Sequence, residues 1–236
     1  MMGRSHGAIG LAIGMGVARI AGFSPGVDLA FGAICAGASL LPDLDEPGST
    51  VSHVLEPVSG AVSYALARVC DGHRKASHSL IGVALVVGLA SGLRELGLWH
   101  HITLLAPLIG FLYACDLRLV SKRKMTFNTL FYLVVAFALG FVTDYYLISY
   151  SALWPLVAIG IGVTIHLVAD WLATGGVPFF WPWSHRFELP LFGRTNSYFE
   201  HIVGWLAVGI GVTLAVAPTI SLWLAFRATH ITHLHG

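Results

Sequence analysis

Seven apolar stretches, roughly 7–22, 27–42, 79–98, 102–117, 127–149, 153–173 and 202–225, fill more than half of the 236-residue chain. A helix needs about 20 consecutive apolar residues to cross the hydrocarbon of a bilayer, and only helices or closed barrels satisfy their backbone there. Composition points the same way. Charged residues make up 11% of the chain and hydrophobic residues 56%, whereas an ordinary soluble domain carries about a quarter charged residues. The expected fold is all-α, a polytopic membrane helical bundle of six to seven spans. The first stretch, GAIGLAIGMGVARIAG, is short and Gly-rich. Its small residues recur at spacings that permit close helix contact, so it either spans or packs as a buried half-helix.

Between the second and third stretches, 43–78 is more polar and broken by Pro47 and Pro57, and 50–70 reads as a short interfacial helix. Between the sixth and seventh, 174–200 is rich in Gly, Pro and aromatics, with Trp181 and Trp183 suited to a membrane–water boundary. With no internal repeat and no low-complexity linker, the chain reads as a single domain, 1–236. No cleavable signal peptide is evident at the first stretch. If all seven stretches span and the chain alternates sides, Arg4, Arg68, Arg74, Lys75, Arg118, Lys122, Arg123, Lys124, Arg186 and Arg194 share one side. Only Arg19, Arg94 and Arg227 fall on the other. The positive-inside rule makes the first side cytoplasmic. A net charge of +1 offers no basic field for nucleic acid. Cys35, Cys70 and Cys115 stand singly, which argues against a disulfide framework or a thiolate zinc site.

Five segments bring His, Asp or Glu to that same boundary: Ser5-His6 opens the first stretch, LLPDLDEPGS closes the second, HRKASHSL opens the third, HLVADWL closes the sixth, and RTNSYFEH opens the seventh. Ionisable side chains at membrane depth are costly and mark function by default. His166 and Asp170 are four apart, on one helix face, and can hold one metal ion together. Asn196 and Glu200 repeat that spacing. Asp43 and Asp45 flank Leu44 after Pro42, where an extended turn lets both reach one cavity. His73 lies on the loop before the third helix and His78 in its first turn, if that helix begins near Ser77. Ligation by His and carboxylate without Cys suits zinc, and also manganese or iron. Each piece also has a plain structural reading: a packed histidine at 166, a capping Asp after Pro42, a cytoplasmic anchor at RKAS. Arg118–Lys124 reads as such an anchor, in contact with anionic lipid.

These motifs, together with TGGVPFFWP and RFELP, resemble in order and separation the YdjM-like family of membrane-bound metal-dependent hydrolases of bacteria and archaea, described as LexA-regulated. The likeness covers roughly 1–98 and 153–205, which leaves 99–150 as an extra helical hairpin. The family is in turn similar to the zinc-dependent phospholipase C and single-strand nuclease superfamily of all-helical enzymes. That similarity implies a metal set at His6, Asp43 or Asp45, His73 or His78, His166 and Asp170, followed by Asn196 and Glu200. Asn196 stands where the superfamily has a His, and the His expected soon after Asp170 is missing from WLATGGVP, so one or two ions are implied instead of three.

The resulting expectation is a metal-dependent hydrolase with its site at the cytoplasmic membrane face. His6, Asp43, His73, His78, His166 and Asp170 bind a divalent metal, zinc first. Asp45 or Glu200 accepts the proton of a metal-activated water. Arg74 and Arg194 hold the phosphate of a phosphoester or lipid-linked substrate. Two other classes remain open: a metal or ion transporter, and a non-catalytic membrane protein with a structural metal site. Transporters place their sites near mid-membrane on broken helices, often with repeats; here the ionisable residues lie at segment ends.

Overall fold

The computed structural model describes residues 3–49, 51–53, 57–96, 134–139, 141, 153–193 and 197–234. The stretch 102–117, 16 of the 23 residues of 127–149, and most of the expected hairpin at 99–150 lie outside them. Six long helices carry the described fold: α1 (Gly3–Ile20), α2 (Pro25–Ala38), α3 (Val58–Val69), α4 (Leu80–Glu95), α5 (Trp154–Trp171) and α6 (Tyr198–Leu234). Among the described residues there is no strand, only an isolated antiparallel bridge between Val177 and Phe187 in the loop after α5.

Local chemistry sets several helix starts. Pro25 opens α2 behind an extended Ser24, the position where a missing N–H costs nothing. Ser79 caps α4 by accepting the N–H of Gly82 at 3.2 Å, and Ser197 caps α6 by accepting that of Glu200 at 3.2 Å. Small residues set the packing. A Cβ on Gly14 of α1 would stand 2.7 Å from the Cβ of Cys35 on α2, and one on Gly162 of α5 would stand 2.5 Å from the Cys35 carbonyl. Backbones that close are the signature of membrane helix packing through small residues. Around these contacts lie Phe31, Ile34, Ile159, Val163 and Leu167, all buried. At the far end, fully buried Asp28 accepts from Arg19 Nε at 2.6 Å, and Arg19 also donates to the Leu214 carbonyl at 3.0 Å. The α1–α2 turn is thereby tied to α6.

Among the described residues, three segments are long and apolar enough to cross a membrane: Pro25–Asp45, Trp154–Trp171 and Tyr198–Pro218. The expected count of six to seven spans is not reached among the described residues. α1 has 18 residues but is diluted by glycines and by its polar ends, and α4 has 16, below the usual length of a straight span. Three local expectations also change. The Asp43–Asp45 segment is a 3-10 turn, Pro42–Asp45, not an extended one. The stretch 50–70 divides into a 3-10 turn, Val51–His53, and α3. His78 ends a 3-10 turn, Ala76–His78, just before α4 instead of lying within it.

Candidate metal centre

The start of α1, the turns after α2 and before α4, and the last turns of α5 meet at one end of the bundle. His166 and Asp170 share the buried face of α5. His166 Nδ1 lies 2.7 Å from the carbonyl oxygen of Ser39, at the C-terminal end of α2, where carbonyls lack partners within the helix. The ring donates Nδ1–H to that oxygen and keeps a lone pair on Nε2. On the other side, His78 Nδ1 lies 3.0 Å from Ser77 Oγ and 3.4 Å from Asp45 Oδ2. Its Nε2 faces His166 Nε2 at 3.0 Å. Two lone pairs so close repel unless a cation, a proton or a metal, lies between them.

Two carboxylates complete that pair. Asp43 Oδ1 is 3.7 Å from His78 Nε2 and 3.6 Å from His166 Nε2. Asp170 Oδ2 is likewise 3.7 Å and 3.6 Å from the same two atoms. Bonds of about 2.1 Å place neighbouring ligand atoms about 3.4 Å apart in a tetrahedron and about 3.0 Å apart in an octahedron. Asp43, His78 and His166 offer one atom each within 4.8 Å of one another, and Asp170 does so with His166 and His6. Metal-ligating histidines characteristically donate their other ring N–H to a carboxylate or backbone carbonyl, and both of these have such an acceptor in place.

Flanking groups extend the cluster in both directions. His6 stacks on His166 with ring centroids 4.0 Å apart, and its Nε2 lies 3.4 Å from Asp170 Oδ1. Neither ring nitrogen of this buried residue is hydrogen bonded among the described residues. Opposite, His73 Nδ1 lies 2.6 Å from Asp45 Oδ1. Three overlapping groups could therefore hold an ion: His6, His166 and Asp170; Asp43, His78 and His166; Asp45, His73 and His78. Arg74, in the left-handed region with φ 57°, binds two carboxylates at once. Its backbone N–H donates to Asp45 Oδ2 at 3.2 Å, and its guanidinium Nη2 lies 2.8 Å from Asp170 Oδ2. Burial alone would lower the His78 pKa. The hydrogen bonds of Asp43 and Asp45 and the charges of Asp45 and Asp170 outweigh it and push the imidazole up to about 9. The cluster attracts a cation at this point.

Of the expected site residues, His6, Asp43, Asp45, His73, Arg74, His78, His166 and Asp170 thus gather in one constellation. Glu200 is fully buried in the first turn of α6, one turn from Gly204, where an added Cβ would lie 3.5 Å from Ser5 Oγ on α1. None of the three groups includes it. Arg194 and Asn196 lie outside the described residues. Three participants were not singled out from sequence. The Ser39 carbonyl fixes the His166 tautomer, Ser77 donates to Asp45, and Arg186 reaches the Arg74 carbonyl at 3.4 Å. Ser77 had a local signal, a hydroxyl between two histidines in HRKASHS. Ser39 and Arg186 act across more than 100 residues of sequence.

Residues 1–113 and 101–234 match the family model described as YdjM inner membrane protein. The two matches run through nearly the whole chain, and the chain belongs to that family. Family and apolar helices together support an inner-membrane location. No curated protein and no solved structure matches the chain. The likeness to the phospholipase C and nuclease superfamily rests on motif order alone.

Proposed function

For this member of the YdjM inner membrane protein family, we propose a metal-dependent hydrolase acting on a phosphoester or lipid-linked substrate at the cytoplasmic face of the membrane. One observation carries the reading. The Nε2 atoms of His78 and His166 face each other at 3.0 Å, each with its opposite ring nitrogen engaged by an acceptor. Asp43, His78, His166 and Asp170 hold the divalent ion, zinc first, with manganese or iron as further fits. When bound, such an ion polarises a phosphoryl oxygen and makes water nucleophilic near neutral pH.

The chain's own residues do the rest. Ser39 and Asp45 fix the tautomers of the two histidines. Asp45 has both oxygens occupied by donors, from His73, Ser77 and the Arg74 N–H. It therefore serves better to orient His78 than to take a proton, and in this reading Glu200, buried in the first turn of α6, takes that role. His6 and His73, at the two flanks, suit the binding of a second ion or the positioning of the first. Arg74, beside Asp170, and Arg194 hold the substrate phosphate, since a guanidinium matches phosphate geometry. Asp43, 18% exposed while its three companions are buried, marks the side from which substrate enters. The cytoplasmic assignment rests on the positive-inside count.

Elemental analysis of detergent-purified protein, beside a His166→Ala/Asp170→Ala double variant, tests this reading. Stoichiometric zinc, manganese or iron that disappears in the variant, together with metal-dependent cleavage of a phosphoester, is the expected result. Absence of metal even after reconstitution, or full metal content in the variant, overturns it.

A further inference from the structure

Two guanidinium groups stand over the C-terminal end of α5, and they are held differently. Arg186 donates from Nη1 to the Gly175 carbonyl at 3.2 Å and from Nη2 to the Arg74 carbonyl at 3.4 Å. No carboxylate among the described residues pairs with it. A guanidinium satisfied only by carbonyls keeps its full charge for another partner. The nearby Glu188 is turned to the Gly175 N–H at 2.9 Å, and Lys75 pairs with Asp71 at 2.5 Å. Arg74, by contrast, spends its charge on Asp170 Oδ2 at 2.8 Å, the same oxygen that faces both histidine Nε2 atoms. It also reaches the Thr174 carbonyl from Nη1 at 3.5 Å, so Arg74 and Arg186 lean on the same short loop, Thr174–Gly175.

Arg74 keeps this place through a left-handed backbone, φ 57°, which a side chain bearing a Cβ adopts only against steric resistance. Such strain persists where surrounding contacts over-determine it, often at functional sites. Here the fixed point is the Arg74 N–H on Asp45. The guanidinium is the movable part. Asp45 takes the Arg74 N–H and Asp170 its guanidinium, while a third carboxylate, Asp43, lies beside His78 and His166. Histidines aside, the site is net negative, and it repels an anion until a cation arrives.

We propose that Arg74 is the resident counter-cation of Asp170, and that metal loading releases it to form, with Arg186, a receptor for the phosphate group of a phosphate ester. This rests on the metal-site reading above and adds to it an order of events and a second phosphate-binding residue. A metal ion on Asp170 Oδ2 takes over the charge that Arg74 now neutralises. Arg74 then turns within its own reach toward the Thr174–Gly175 loop, where Arg186 already stands. Two guanidinium groups side by side suit a phosphate with two or three free oxygens. That chemistry is shared by a soluble phosphate ester and a phosphatidic-acid headgroup.

The test uses full-length protein in detergent, loaded with one equivalent of zinc and freed of excess, beside chelator-stripped protein. Inorganic phosphate and dihexanoyl phosphatidic acid are titrated separately by calorimetry. Phosphate is expected to bind the loaded protein about tenfold or more tighter than the stripped one, the loss of one charge-assisted contact being worth about that factor. Arg186→Gln should weaken phosphate by a similar factor and leave zinc affinity unchanged. Arg74→Gln should weaken phosphate and tighten zinc, because Asp170 loses a competing cation. Arg74→Lys should restore the competition for Asp170 without restoring full phosphate affinity. A clear preference for the lipid assigns the headgroup as the source, and equal affinities assign a soluble ester. Phosphate binding that ignores metal, or that survives both glutamine variants with zinc still bound, overturns the proposal, as does loss of zinc in Arg74→Gln with the lysine variant intact. If the wild-type protein binds no zinc, the metal-site reading falls and this one with it. If zinc binds and phosphate is indifferent to it, only this one falls.

Discussion

Asp45→Asn separates the orienting role of Asp45 from a ligand role. In the folded protein Asp45 is buried. Its Oδ1 lies 2.6 Å from His73 Nδ1, and its Oδ2 accepts from the Arg74 N–H at 3.2 Å and from Ser77, with His78 Nδ1 3.4 Å away. Asparagine keeps the shape and one acceptor but turns the other oxygen into a donor. Either His73 or the group around His78 then faces an N–H instead of an oxygen. If Asp45 acts by holding His78 with Nε2 free for a metal, its loss weakens metal binding without removing a ligand. Changes in such supporting groups cost about 10- to 100-fold in affinity, or about 1.4–2.7 kcal/mol. Zinc competition against a chromophoric chelator in detergent measures the change, and elemental analysis at saturating zinc measures stoichiometry. The expected result is a lower affinity at unchanged stoichiometry. An affinity within about threefold of wild type, small beside the range expected for such groups, would refute the orienting role. Loss of one metal equivalent at saturation would refute it in the other direction, by making Asp45 a ligand of a second ion with His73 and His78.

The raised pKa of His78, about 9, predicts that zinc must displace a proton. Apparent zinc affinity should rise by about tenfold per pH unit up to about 9 and level off above it. Calorimetry in buffers of different ionisation enthalpy should count about one proton released at neutral pH. The Arg19–Asp28 pair should matter for stability. Arg19→Leu leaves a fully buried carboxylate without its cation, a loss of about 3–5 kcal/mol in a dry site and less here because Arg19 is partly exposed. Arg19→Leu/Asp28→Leu should recover most of it in a detergent melting curve. Gly162→Ala should destabilise by about 1–3 kcal/mol through overpacking against Cys35 and Ala38. Gly88→Ala, where an added methyl meets nothing within 4 Å, should be neutral or slightly stabilising in the same melting assay.

The sequence carries the proposed ligands of this site more openly than it carries their supports. His166 and Asp170 are readable because four residues on a helix mean one face, whatever the tertiary fold. Asp43 and His78 are readable because ionisable residues at the ends of apolar runs are rare and costly. Ser39 is not readable. It acts through a carbonyl that every residue possesses, and only the crossing of α2 with α5, set by glycine-sized contacts such as Gly162 on Cys35, brings that oxygen to His166. The left-handed backbone of Arg74 is hidden for a similar reason, since Asp45 holds it from 29 residues away. The span count shows the reverse difficulty. An apolar run of the right length does not state where its helix starts. α4 begins at Leu80, two residues after the histidine expected in its first turn, and α1 exchanges apolar side chains for glycines in order to pack.

Coordination number decides between an enzyme and a structural site, and the geometry allows that to be tested directly. The four proposed ligands, Asp43, His78, His166 and Asp170, are as many as a closed tetrahedral site requires, and a closed site ties helices together without chemistry. An ion that takes five or six ligands in the same cage keeps one or two positions for water or substrate. The His–His spacing of 3.0 Å and the His–carboxylate spacings of 3.6–3.7 Å do not choose between the two outcomes. Exposure breaks the tie. Asp43 is the one proposed ligand with solvent access, at 18%, so water would reach a bound ion from its side. Cobalt substituted for the native ion reads the count from its visible absorption: intense for four ligands, weak for six, intermediate for five. The hydrolase reading expects a weak or intermediate spectrum that changes when phosphate is added. An intense spectrum, unmoved by phosphate, would make the cluster a structural clasp between α2, α4 and α5. Asp43→Ala then distinguishes the two again, because it opens a fourth position in a clasp and should make cobalt respond to phosphate for the first time.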